Sequence, residues 1–160
     1  RYREMATIAN LTKSGNVEGN QAYKHFPSGG MFVRKATITT GTLVVNDVIQ
    51  CLDVFAGETL HGIRMAVTYI DSGTAIVLDV GYGNSATATA GTSDDLVDGS
   101  TIGQAGGFVI ANVFSADEDG GTAFAAGPLD FAADDTIDVH VQVAPGTSVA
   151  GTITIYAYIT

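Results

Sequence analysis

Apolar and polar residues alternate with a period of two through much of the chain after residue 30. Ile137, Val139, Val141 and Val143 alternate with Asp138, His140 and Gln142. Ile153, Ile155, Ala157 and Ile159 alternate with Thr152, Thr154, Tyr156 and Tyr158. His61–Ile70 sets Ile63, Met65, Val67 and Tyr69 against Arg64, Ala66 and Thr68. Successive side chains of a strand point to opposite faces, so each of these runs is expected to turn one face to a core. Further strands are expected over Met31–Thr40, over Leu43–Phe55 with a turn at Asn46-Asp47, over Thr74–Tyr82, and over the shorter Phe108–Phe114 and Thr122–Ala126. Residues 83–103, rich in Gly, Ser, Thr and Asp, read as a long loop.

Residues 1–30 have no sustained periodicity and end in the breaker cluster Pro27-Ser28-Gly29-Gly30. They are expected to form an N-terminal arm, with one short strand at Ala6–Leu11, ahead of a single domain spanning 31–160. About eight short strands, Gly-rich turns and no amphipathic helical period make the chain all-β, a sandwich or barrel. A two-sheet jelly roll of antiparallel strands suits that count and the long central loop.

Composition sharpens this picture in two ways. A chain of 160 residues that is 46% hydrophobic and 15% charged can bury a core of its own. Its net charge is −10, yet six of the seven bases (Arg1, Arg3, Lys13, Lys24, Arg34 and Lys35) fall within residues 1–35. Only Glu4 and Glu18 oppose them there, and Arg64 is the last base of the chain. A basic leader on an acidic body suggests an arm that grips an acidic surface while the body repels its own copies. The acidic body argues against general nucleic-acid binding, which needs Lys and Arg along the phosphates. No run approaches the ~20 apolar residues that span a bilayer, and residues 1–15 lack the apolar stretch of a signal peptide.

Chemical motifs are few. Val77–Ala86 contains a strand followed by Gly81-x-Gly83-x-x-Ala86, the form of a dinucleotide loop. A phosphate site of that kind needs a helix N-terminus and a parallel sheet, and the Thr-rich residues that follow supply neither. Asp117-Glu118-Asp119-Gly120 resembles part of a calcium loop without its closing bidentate Glu; a solvated turn is the default, with a bridge to Asp94 or Asp95 as the alternative. His25, His61 and His140 show no ligand spacing, and His140 is expected exposed on the polar face of its strand. Cys51, in the apolar run Val48–Phe55, reads as a buried, unreactive thiol. No nucleophile elbow occurs, so no enzyme activity, cofactor or small-molecule substrate is expected. Tyr156 and Tyr158 share one strand face, which either meets a partner or covers Thr-rich sheet.

From Ala56-Gly57-Glu58-Thr59 onward the chain resembles small structural proteins of tailed bacteriophage heads. The pieces are Val80-Gly81-Tyr82-Gly83, Asp94-Asp95-Leu96-Val97-Asp98-Gly99, Ala132-Ala133-Asp134-Asp135-Thr136-Ile137, Ala150-Gly151-Thr152-Ile153 and Tyr156-Ala157-Tyr158. The likeness, one of texture and order, covers roughly residues 56–160. It implies a jelly-roll decoration (cement) protein on the outer surface of a virion, bound to the major capsid protein, often as a homotrimer, and made in the host cytoplasm. In that setting Arg1, Arg3, Lys13, Lys24, Arg34 and Lys35, helped by apolar tucking of Tyr2, Ile8 and Leu11, are the expected capsid contacts. A receptor- or glycan-binding head or tail fibre part is the alternative. It would need aromatic residues exposed in loops, and residues 83–103 offer few.

Overall fold

The computed structural model describes residues 30–83, 94–113, 124 and 127–160. The strands are β1 (Phe32–Thr40), β2 (Val48–Val54), β3 (Thr59–Val67), β4 (Val77–Tyr82), β5 (Val97–Ser100), β6 (Gly107–Asn112), β7 (Leu129–Asp130), β8 (Asp135–Val143) and β9 (Gly151–Ile159). They build two antiparallel sheets, one ordered β1-β9-β3-β6 with β7 beside β3, the other β2-β8-β4-β5. Neighbours within a sheet are mostly remote in sequence, because most successive strands, though not β4 to β5 or β6 to β7, cross from one sheet to the other. This is the jelly-roll arrangement the alternation implied.

Alternation determines what lies between the sheets. Ile63, Met65, Ile153 and Ile155 face inward from the first sheet, and Ile49, Leu52, Leu78 and Ile137 from the second; all are 0–1% exposed. Each such side chain contributes about 1.5–3 kcal/mol through burial. The register of β2 against β8 shifts between Gln50 and Leu52, so Cys51 is the extra residue of a bulge. The shift lets Ile49, Leu52 and Val54 all reach the core, which explains an apolar run without strict alternation. Cys51 is partly buried there; burial first, and the nearby Asp138 carboxylate second, push its thiol pKa up.

Several expectations change at the ends of strands. Leu43–Val45 is not strand: Asn46 turns the chain at φ 67°, and Asp47 Oδ2 accepts the Val44 N–H at 2.8 Å. Within the expected 83–103 loop lies β5, which pairs with β4. A single 3-10 turn follows at Ile102–Gln104. The two-residue β7 was not foreseen. The arm at 1–29, its Ala6–Leu11 strand and the Thr122–Ala126 strand (Phe124 apart) lie outside the described residues.

Candidate docking surfaces

β1 leaves the arm with opposite fates for its two adjacent bases. Arg34 lies on the inward side with Ala36 and Ile38, and is 4% exposed. Its guanidinium makes a two-pronged pair with Glu58, Nη2 to Oε1 at 2.7 Å and Nη1 to Oε2 at 2.9 Å. Nη1 also donates to the Asp53 carbonyl at 2.6 Å. The Phe32 and Phe55 rings flank it at 5.4 and 5.1 Å. The charge of Arg34 is thus balanced inside the sandwich, and Arg34 is corrected from a surface contact to a structural residue. Its neighbour Lys35 points outward and is exposed.

Lys35 lies in a row that crosses the first sheet. In register stand Lys35, Tyr156, Arg64 and Ile110, one from each strand. Lys35 Nζ sits 5.5 Å from the Tyr156 ring centroid, and Arg64 Cζ lies 5.7 Å from it on the other side. Arg64 also covers Phe108 at 4.3 Å. Val33, Phe108 and Ile110 on the same face are 54%, 55% and 39% exposed. Among the described residues neither Lys35 nor Arg64 forms an ion pair, although acids outnumber bases by 17 to 7 in the chain. Of the three bases in the described residues, the two that reach the surface therefore share one aromatic face. Tyr156 was legible as an outward residue; its place between two cations needed the strand order.

The remaining expected site residues, Arg1, Arg3, Lys13, Lys24, Tyr2, Ile8 and Leu11, fall outside the described residues. The arm joins β1 at Phe32, which pairs with Ile159 at the end of the sandwich carrying Glu58, Asp130 and Asp134. The acidic 117–120 loop is likewise outside the described residues.

The outer side of the second sheet holds a further group of buried polar side chains. His140 Nδ1 lies 3.2 Å from Asp79 Oδ2, with side chains 12% and 3% exposed, so the expectation of an exposed His140 is corrected. Asp138, two residues before it, is 5% exposed and neither carboxylate oxygen has a hydrogen-bond partner. Burial pushes its pKa up to about 7, with Asp135 and Asp53 adding to the rise against a lowering by Thr136. Among the described residues no three His, Cys, Asp or Glu converge as a metal-ligand set. β4, which carries the start of the Gly81-x-Gly83 motif, has antiparallel neighbours on both sides, so the parallel sheet of a dinucleotide site is not built there.

A sandwich in the order β1-β9-β3-β6 over β2-β8-β4-β5 places the chain in the class of jelly-roll proteins. Among solved structures it is similar to a chain in the capsid of Ralstonia phage GP4. The two share 25% identity with a TM-score of 0.64, covering 82% of this chain and 84% of that one. It also shares its fold with a chain in the capsid asymmetric unit of cyanophage Pam1, with 18% identity, a TM-score of 0.56 and coverage of 87% and 93%. No protein-family model matches the chain, and no curated protein does.

Proposed function

We propose that the chain is a non-enzymatic virion structural protein that decorates and cements the outer surface of a phage capsid, as a homotrimer bridging neighbouring capsomers. The observation that carries this reading is the similarity, over most of both chains and at a TM-score of 0.64, to a component of the Ralstonia phage GP4 capsid. The work of such a protein is mechanical: its interfaces oppose separation of the capsomers it spans. An interface of ~1,600 Å² suffices for specific attachment, and three linked contacts multiply the effective affinity.

Attachment is assigned to the basic arm (Arg1, Arg3, Lys13 and Lys24, with Tyr2, Ile8 and Leu11) and to Lys35, continued across the sheet by Arg64. Arg34 is left out because its charge is balanced by Glu58. The partner is an acidic surface of the major capsid protein, since exposed cations on an acidic body meet acids with the least self-repulsion. One exposed pair contributes only ~0.2–1 kcal/mol, so several must act together.

The test is binding of the full chain to particles stripped of it. Deleting residues 1–30 should abolish binding while circular dichroism stays all-β. The double reversal Lys35→Glu/Arg64→Glu should weaken it, and added salt should weaken the unaltered chain. Binding that is indifferent to salt and to the deletion would overturn the assignment.

A further inference from the structure

The two ends of the sandwich differ in charge, and the difference follows from where the loops fall. Strand register places the loops 41–47, 68–76, 101–106 and 144–150 at one end. The same registers put Glu58, Asp94, Asp95, Asp130, Asp134 and Asp135 at or near the other. In a chain with 17 acids, the first end contains, among the described residues, two charged ones, Asp47 and Asp71. Both are turned inward, at 7% and 0% exposure.

Asp71 shows how this is achieved. Its Oδ1 accepts the N–H groups of Gly73 at 2.7 Å and Thr147 at 3.0 Å. Its Oδ2 accepts those of Ala75 at 2.6 Å and Ile76 at 2.8 Å. Burial alone would raise its pKa, yet these four donors hold it well below the usual carboxylate range. Ser72 N–H to the Thr147 carbonyl and Val149 N–H to the Ile70 carbonyl complete the stitching of two loops. Gly73 and Gly146 pack so closely that a Cβ on Gly73 would lie 2.6 Å from Gly146 Cα. The end is therefore fixed in shape, and it presents no charge to solvent.

It does present apolar side chains. Val44, Val45, Tyr69 and Val143 are 54%, 53%, 45% and 42% exposed. Val44, Val45 and Val143 stand at one corner, where Asn46 N–H reaches the Val141 carbonyl and Val141 N–H reaches that of Asp47. Tyr69 stands on the neighbouring loop beside Gly106. Exposed large apolar groups on a rigid, uncharged surface mark an interaction site.

We infer that this charge-free loop end is the surface through which copies of the chain bind one another. Charge selects the occupant. With net charge −10, a contact that turns the acidic end toward the acidic end of another copy places like charges together. The cationic face of the first sheet is not self-complementary either, since Lys35 and Arg64 would meet themselves across a twofold axis. The loop end brings two copies together without setting charge against charge, and it leaves the cationic face to the shell. Two apolar spots on one surface, the Val44–Val45–Val143 corner and Tyr69, suit a heterologous contact in which one spot meets the other on the next copy, the kind that closes into a ring. The inference rests on the self-association in the proposed function and supplies its surface, while leaving the cationic face free for the shell.

The test is the mass of the full-length chain by light scattering and sedimentation from 1 to about 100 µM. The unaltered chain should be oligomeric. Val45→Asp/Val143→Asp should shift the association midpoint at least about tenfold toward dissociation, because a buried unpaired carboxylate is strongly disfavoured. Val45→Ser with Tyr69→Ser, a milder change at exposed positions, should shift it in the same direction with an unchanged melting profile. Lys35→Glu/Arg64→Glu should weaken particle binding and keep its oligomeric mass, which separates failure of the shell assignment from failure of this one. A monomeric unaltered chain, or loop-end variants that stay oligomeric, would overturn the inference. So would loop-end variants that keep their mass but lose particle binding, since the shell would then be the occupant.

Discussion

Glu58→Gln keeps the shape of the side chain and removes its charge, leaving the Arg34 guanidinium uncompensated between Phe32 and Phe55. Arg34 is 4% and Glu58 13% exposed, so the pair is largely withdrawn from water. Removing one partner of a buried pair costs about 3–5 kcal/mol, and the residual exposure of Glu58 argues for the lower end, about 3 kcal/mol. The Phe55 N–H, which donates to Glu58 Oε2 at 2.8 Å, keeps an acceptor in Gln. For a domain of this length ~3 kcal/mol lowers the melting temperature by about 6–12 °C. Urea unfolding monitored by circular dichroism, with protein concentration held fixed, measures the difference. Replacing both residues by apolar ones, Arg34→Met/Glu58→Leu, should cost less than Glu58→Gln alone, because no charge remains buried. A loss under about 1 kcal/mol for Glu58→Gln, or additive losses in the double variant, would refute the claim that Arg34 is held internally and return it to the surface contacts.

Two further outcomes follow from the same geometry. Asp138 has a folded pKa raised from 3.8 to about 7, so the folded state binds more protons than the unfolded one between those values, and stability should fall as pH rises through that window. Asp138→Asn should raise the urea midpoint at pH 8 more than at pH 5; an equal gain at both would show that the carboxyl titrates normally. Gly73→Ala should lower the melting temperature, because its Cβ would strike Gly146 and Thr147 backbone atoms at 2.6–2.8 Å, whereas Gly41→Ala, with nothing within 4 Å, should leave it unchanged. Equal melting of the two variants would mean that the stitched loops part at little cost.

Much of the architecture could be read from alternation, and its failures are local. β8 and β9 stand where Ile137–Val143 and Ile153–Ile159 alternate, because inward positions in a two-sheet core admit little else. β5 escaped notice because its four residues include the exposed Asp98 and the half-buried Gly99, the latter at φ 75°. Neither pattern nor propensity marks such a segment; its pairing with β4 does. Arg34 was within reach: extending the Ala36, Ile38 series back by two residues puts it on the inward face beside the core. Its acceptor Glu58, 24 residues away, was not. Asp71 lies only two residues before Gly73, whose N–H it accepts, but the N–H of Thr147 that it also accepts comes from 76 residues further on. The same holds for the cationic face, which exists only because β9 lies between β1 and β3. Local chemistry was readable, and cross-sheet chemistry was not.

The central claim, that this chain sits on the outside of a phage head, is tested most directly by electron microscopy of whole particles made with and without it. The account predicts density for a two-sheet sandwich on the outer shell, absent when the chain is absent, with the Lys35–Tyr156–Arg64 face and the arm toward acidic shell residues and loop ends of neighbouring copies in contact. Density confined to a tail or fibre, or heads identical in both preparations, would contradict it.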